Sequence, residues 1–421
     1  MSFQALPGFR DVFPADAARR DALFHAWDRV SRRFGFARVD GPPLEPLDLY
    51  KKKSGDEIVK QLFAFTDQGG REVALRPELT PTVARMVGAH ARDFKKPIKW
   101  FGIPQLFRYE RQQRGRLREH FQWNCDIFGE ESLAAEAELL AVLIAGLQEL
   151  GLTATNVEVR ISDRLFWSEF MDQHAVPEND RYAFLQILDK MERQPPEVTR
   201  QALGTLGAPV FQAIEAGQGN ARLEELKGRL QDFGLDSWVS IDLRIVRGLA
   251  YYTGIVFEVH DRARTFRAIA GGGRYDHLVG LLGGEPLPAC GFGMGDVVIQ
   301  ELLNDLGKHP ALPKETKLYL VIVDETIRPL AMRLVAALRQ QKHAVDYPFG
   351  PAKIGKQLQQ AEERGVSHAL ILDASLAQGR CCLKTLADRS QTDLQLTWNG
   401  PVPIFHPPLP SETSPLPSPQ P

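Results

Sequence analysis

An α+β domain carrying an inserted helical subdomain, followed by a smaller α/β domain, is the fold class this sequence predicts. Three observations predict it. Strand-like segments at 98–101 and 123–129 flank a polar, arginine-studded loop. Residues about 165–235 are polar and helical in pattern, with breaks at Pro177, at Pro195-Pro196 and between Gly217 and Gly219. From 317 onward, apolar strands alternate with helices, which argues for a largely parallel sheet. The boundaries that follow are a first domain over 1–308 with its insertion, a linker at 309–316, a second domain over 317–400, and a Pro/Ser-rich tail over 401–421 that is too poor in apolar residues to pack.

The elements justify themselves in order. Pro14 and Asp16 open a helix in which Leu23, Trp27, Val30 and Phe34 recur at three- and four-residue steps, and Gly35 stops it. A short strand at 36–39 leads to Pro42-Pro43. Ser132 begins a second helix over 133–150, ended by Gly151. Strands are expected again at 241–245 and 255–259. In the second domain, strands at 318–323, 344–347, 369–372 and 381–386 are separated by helices at 329–341 and 353–364.

Composition narrows the function little. Lys and Arg number 51 against 53 Asp and Glu, a formal charge of −2, so any nucleic-acid surface must be local. The four cysteines, Cys125, Cys290, Cys381 and Cys382, form no C-x-x-C pair or zinc spacing and read as buried thiols of a reducing compartment. No apolar run reaches the roughly 20 residues of a membrane span. The N-terminus lacks a basic region followed by an apolar core, so a cytoplasmic location is expected.

Chemistry concentrates in five strings. Phe107-Arg108-Tyr109-Glu110, then Arg114-Gly115-Arg116-Leu117-Arg118 and His120-Phe121-Gln122, put guanidinium forks on two strands and the loop between them, suited to a polyphosphate. In Arg76-Pro77-Glu78-Leu79-Thr80, a carboxylate beside a hydroxyl is a receptor for an ammonium group. Val246-Arg247-Gly248-Leu249-Ala250-Tyr251-Tyr252-Thr253-Gly254 adds a further cation, ring walls and hydroxyls. Gly271-Gly272-Gly273-Arg274-Tyr275-Asp276 reads as a Gly-rich turn that lets backbone approach a ligand. The fifth string is Gly291-Phe292-Gly293-Met294-Gly295.

Together these strings resemble the class II aminoacyl-tRNA synthetases. The first string is similar to their motif 2, and the helix, strand and proline at 14–46 to the dimerising motif 1. The string from Val246 to Gly254 resembles the histidine A motif, and the triple glycine the histidine B motif, of histidyl-tRNA synthetases. The resemblance implies a catalytic domain built on an antiparallel sheet flanked by helices, and a C-terminal anticodon-binding domain. It implies histidine, ATP with Mg²⁺, and histidine tRNA as ligands, and a homodimer.

Roles carry over residue by residue. Arg108 would grip the α-phosphate and the substrate carboxylate, Glu110 would orient ATP with Mg²⁺ nearby, and Arg116 would reach the terminal phosphates. His120, where many relatives carry a stacking Phe, and Phe121 would meet the nucleotide. Glu78 and Thr80 would bind the amino group. Asp126, Gln122, Tyr251, Tyr252, Gly272 and Tyr275 would bind the histidine, and Arg247 would flank the reacting phosphate. Arg111 and Arg114 would approach tRNA at its acceptor end, and Lys353 and Lys356 its backbone elsewhere, with Tyr347 and Phe349 as exposed stacking rings. One departure stands out. The family pattern ends motif 3 in Glu-Arg, whereas this chain reads Asp296-Val297-Val298. Two other readings share the architecture: a non-catalytic relative acting as a regulatory subunit or tRNA sensor, favoured only by Val298, and a ligase for another amino acid, which leaves Tyr251-Tyr252 unexplained.

Overall fold

The structure is a computed structural model that describes residues 3–54, 61–109, 115–247, 251–309 and 317–410. Contacts divide the chain into two compact units, Met1–Leu312 and Pro313–Pro421.

The first unit is built on one sheet. Its strands lie in the order Ala37–Arg38, Ile98–Gly102, Glu119–Phe128, Ala289–Gly295, Ala270–Arg274, Ile255–Asp261, Val157–Asp163 and Val239–Ile241. The six central strands pair antiparallel throughout, and the two short edge strands pair parallel. Gln105–Phe107 pairs with the start of Glu119–Phe128, which makes the hairpin around the arginine loop.

Strand alternation assigns the two faces. From Glu119–Phe128, Trp123 and Cys125 enter the main core. Trp123 stacks on Trp27 of the helix Pro14–Arg33, with ring centroids 5.9 Å apart, and its Nε1 donates to Ser31 Oγ at 2.9 Å. Each indole is fully buried, which stabilises the fold by roughly 2–3 kcal/mol per side chain. The helix Ala134–Glu149 covers the same face with Leu139, Leu140 and Leu143. His120, Gln122, Asn124 and Asp126 have the opposite parity and are left for the other face.

The triple glycine is not a turn. Ala270–Arg274 and Ala289–Gly295 are central strands, in register with each other. Arg274 ends the first of them and is buried, its fork donating to both Glu136 oxygens at 2.5 and 2.6 Å. This anchors sheet to helix: removing one partner strands a buried charge.

Five helices, from Arg164–Gln173 to Ala221–Asp232, fill the interval between Val157–Asp163 and Val239–Ile241. They fall within the interval 164–232. Asp163 caps the first by accepting from the Leu165 N–H at 3.0 Å. It also accepts from Asn220 Nδ2 at 3.1 Å and Arg222 Nε at 3.2 Å, and so fastens both ends of the insertion.

The second unit departs from the expected parallel sheet. Its six strands run Ala344–Asp346, Lys317–Ile322, His368–Leu372, Arg380–Thr385, Gln391–Asn399 and Val402–His406. Only the first three are parallel, and the last three form an antiparallel meander. After His368–Leu372 the connections are too short for a crossover helix, so the chain must fold back by hairpins. Leu394 and Leu396 point into the core while their neighbours are exposed. The sheet therefore extends through 406, past the end expected at 400; residues 411–421 of the tail lie outside the described residues.

Candidate active site

The face of the sheet opposite the two long helices opens into a cavity of about 1100 Å³. Glu78, Thr80, Arg108, Arg116, His120, Gln122, Arg247, Tyr251, Tyr252 and Tyr275 all line it, although they come from segments as far apart as 78 and 275 in the chain. Glu110, Arg111 and Arg114 lie outside the described residues.

At one end the groups are polar and buried. Tyr251 hydroxyl donates to Glu78 Oε2 at 3.3 Å. Its ring meets Tyr252 at 4.7 Å and stands edge-on to Tyr275 at 5.7 Å. Thr80 opens the helix Thr80–His90 next to Glu78. The Tyr275 hydroxyl donates to Asp126 Oδ1. Asp126 itself does not line the cavity. Its Oδ1 stands against Gly291, which does line the cavity and where a Cβ would fall 2.2 Å from that oxygen. Burial pushes the Asp126 carboxyl up to about 7; the Tyr275 hydrogen bond lowers it and the Glu78 charge raises it further.

This shift has a measurable sign. An aspartate raised in the folded state favours folding below its unfolded value of about 4, and that contribution is lost as pH climbs to about 7. Asp126→Asn removes the titration. The variant's melting temperature is therefore expected to rise relative to wild type between about pH 4 and 7, and a pH-independent difference would contradict the buried carboxyl.

Next along the cavity stand two guanidinium groups. Arg108 donates from Nε to Pro77 O at 2.9 Å. Burial holds its pKa below the usual value; the nearby Glu78 and Tyr251 oppose this, and Arg247 adds to it. Arg247 has φ +50, a left-handed backbone that costs a non-glycine residue about 1–2 kcal/mol. Its guanidinium lies over the Tyr252 ring at 5.7 Å and pairs with Glu258 at 3.3 Å. It also covers Gly271, where a Cβ would sit 1.4 Å from Nη1. The glycine is what allows the arginine to lie flat on the sheet.

Beyond Arg108 comes Arg116, whose pKa burial lowers to about 10, with Arg267, Arg108 and Arg193 adding repulsion. His120 is held neutral: burial brings it down to about 3, helped by Arg108, Arg10 and Arg116. A neutral ring can stack on a nucleobase without a charge to desolvate.

Besides Asp126, two expected contacts are not in the cavity. Phe121 has the parity of Trp123, and its ring packs on Phe24 at 5.0 Å and under Arg20, away from the site. Gly272 also faces the core, where a Cβ would fall 2.7 Å from Phe257 and Phe292; the lining glycine is Gly271. Asp296, where the motif 3 departure begins, is a buried structural carboxylate that accepts from the Phe121 N–H at 2.9 Å and Arg10 at 3.0 Å.

Sequence reasoning missed Glu258, His260, Arg193 and Arg267, all of which line the cavity. Glu258 and His260, 3.0 Å apart, were legible as polar residues two apart in a strand that opens Ile255-Val256-Phe257 and has Val259 between them. Arg193 and Arg267 carried no such signal, because only tertiary folding brings them to the site.

In the second unit, Lys353 precedes the helix Ile354–Glu363 and Lys356 lies in its first turn, both exposed. Buried Gln357 fixes this helix end: it accepts from the Ile322 N–H and donates to the Ile322 O, each at 2.8 Å. Phe349 is 86% exposed, but Tyr347 is half-buried against the core, under Arg339. Of the two expected stacking rings, one is available.

The match to known proteins covers the same two units. Residues 8–296 match the family described as histidyl-tRNA synthetase, and residues 317–397 match the anticodon binding domain. A histidine–tRNA ligase of Opitutus terrae is 43% identical over 93% of this chain and 96% of its own length. The chain belongs to the histidyl-tRNA synthetase family. The chloroplastic/mitochondrial histidine–tRNA ligase of Arabidopsis thaliana is 41% identical over 80% of this chain and 74% of its own. The fold agrees with that of histidyl-tRNA synthetase from Nostoc sp. PCC 7120, at TM-score 0.78 and 21% identity over 94% of this chain and 97% of that one. The apo enzyme of S. aureus gives 0.72, at 21% identity and the same coverage. The likeness in fold spans both units of the chain. Among the described residues, no helix is long and apolar enough to cross a membrane. Nor do three His, Cys, Asp or Glu side chains come together there as a metal site.

Proposed function

We propose that this chain is a histidine–tRNA ligase, acting as a homodimer in the cytoplasm. Convergence carries the reading: a carboxylate–tyrosine receptor at one end of the cavity adjoins two guanidinium groups drawn from separate strings. Histidine binds with its amino group at Glu78 and Thr80. Its ring lies against Tyr251 and Tyr252 and meets the Tyr275 hydroxyl, which Asp126 holds in place. Gln122 takes a remaining polar end.

The histidine carboxylate then attacks the ATP α-phosphorus in line. A new C–O–P bond forms, the bond to the β-phosphate oxygen breaks, and pyrophosphate leaves. Such a step needs positioning and charge neutralisation more than covalent help. Arg108 and Arg247 supply it from both sides, and His120 stacks on the base. In the second step the terminal ribose hydroxyl of tRNA attacks the adenylate carbonyl and AMP leaves. Mg²⁺ would come with ATP as its counterion. Without a three-ligand cluster among the described residues, no protein ligand to it is assigned.

The test is pyrophosphate exchange into ATP with each of the twenty amino acids. Exchange that depends on histidine alone is expected. Exchange driven by another amino acid overturns the substrate, and absence of exchange with retained tRNA binding points to the non-catalytic alternative. For the second unit, Lys353→Ala and Lys356→Ala are each expected to weaken tRNA binding and to lower the salt slope by about one, with adenylate synthesis unchanged. Filter binding against salt concentration measures this; equal losses in both steps would reject the role.

A further inference from the structure

The resemblance leaves one vacancy. At the position where an arginine is expected to clamp the end of ATP stands Val298, which lines the cavity and lies beside Gly115. An apolar side chain offers nothing to a phosphate. Yet the same cavity holds more positive charge than the family strings account for.

Arg267 comes from the segment between Ile255–Asp261 and Ala270–Arg274, and Arg193 from the one-turn helix Met191–Arg193 inside the insertion. Both are exposed and both line the cavity. Neither makes an ion pair or hydrogen bond among the described residues, whereas Arg160, Arg244 and Arg247 in the same walls each hold a carboxylate.

These cations lie close enough to repel one another. Arg108 feels Arg247; Arg116 feels Arg108, Arg267 and Arg193; and Arg267 feels Arg193. Arg193 and Arg267, neither held in an ion pair among the described residues, add their charge to that of Arg116 and raise the energy of the cavity. A chain of phosphates laid along them removes that cost and matches the planar forks two oxygens at a time.

We infer that Arg267, assisted by Arg193 from the helical insertion, grips the β- and γ-phosphates of ATP beside Arg116 and so replaces the arginine absent at Val298. This rests on the ligase reading, since it presumes that the α-phosphate sits between Arg108 and Arg247. It gives the insertion a direct part in holding the nucleotide, through Arg193.

The test uses the full chain. Arg267→Ala is expected to raise KM for ATP in histidine-dependent exchange by about 10–100-fold, the loss of a charged hydrogen-bonding pair, with KM for histidine within twofold. Pyrophosphate binding to the protein alone, followed by calorimetry, should weaken by a similar factor. Arg193→Ala should give a smaller shift in the same direction. An unchanged KM for ATP overturns the inference, as does an equal rise in both KM values. The two readings fail separately. If wild type shows no histidine-dependent exchange, the ligase reading falls, and pyrophosphate binding lost in Arg267→Ala still upholds the phosphate grip. Unaltered pyrophosphate binding in that variant removes the grip while leaving the ligase reading standing.

Discussion

Replacing Arg247 by alanine is expected to slow histidine-dependent pyrophosphate exchange by about 10²–10³-fold, the usual loss for removing one preorganised donor from a transition-state site. The fold should survive. Arg247 pairs with Glu258, but His260 Nε2 also meets that carboxylate at 3.0 Å, so its charge keeps a partner. The loss should fall on kcat more than on KM for ATP. Arg247 and Arg108 repel each other across the empty site, and without Arg247 the remaining arginine is relieved of that repulsion. Ground-state binding is thus partly compensated, whereas charge building up on the α-phosphate in flight is not. Arg247→Lys should recover little, because a lysine offers no planar fork and would not lie flat over Gly271. Near-normal exchange by the alanine variant, with an unchanged unfolding transition, would remove Arg247 from the mechanism.

Legibility of this molecule follows the range over which each signal acts. Helices such as Pro14–Arg33 and Ala134–Glu149 were readable because their apolar stripes and stop signals are local. The string around Arg247 and Tyr251 was readable because its residue types are rarely found together. Phe121 was assigned to the nucleotide although the information against it was present: a strand with Trp123 and Cys125 pointing into the core must send Phe121 the same way. The meander strands Gln391–Asn399 and Val402–His406 were readable in part from Leu394 and Leu396 at period two, but polar alternation of that kind is weak on its own. Gly272 was unreadable, since adjacent glycines look alike until the pleat assigns one to the cavity and the other to the core. Arg193 and Arg267 could not be found at all, as an exposed arginine in a loop has no pattern until the fold supplies its neighbours.

Those adjacent glycines give the second large effect, and it separates packing from function at one residue's distance. A Cβ at Gly271 would strike the Arg247 guanidinium at 1.4 Å, and that is the far end of a flexible side chain. Gly271→Ala should therefore fold with near wild-type stability, the arginine lifting off the sheet, and should lose most of the activity that Arg247→Ala loses. A Cβ at Gly272 would meet Gly291 O at 2.2 Å and the Phe257 and Phe292 side chains at 2.7 Å. Backbone in the middle of a six-stranded antiparallel core cannot swing aside, so the two strands must part or the aromatics must leave their rotamers. Gly272→Ala is expected to cost about 3 kcal/mol, at the upper end for overpacked cores, and to lower the melting temperature by roughly 5–10 °C. Its remaining folded fraction should retain KM for ATP and histidine near wild type, because the cavity face is untouched. Calorimetry and exchange kinetics on both variants decide the matter. If Gly271→Ala is the unstable one and Gly272→Ala the inactive one, the faces of this strand are reversed, and Arg247 does not rest where the reaction requires it.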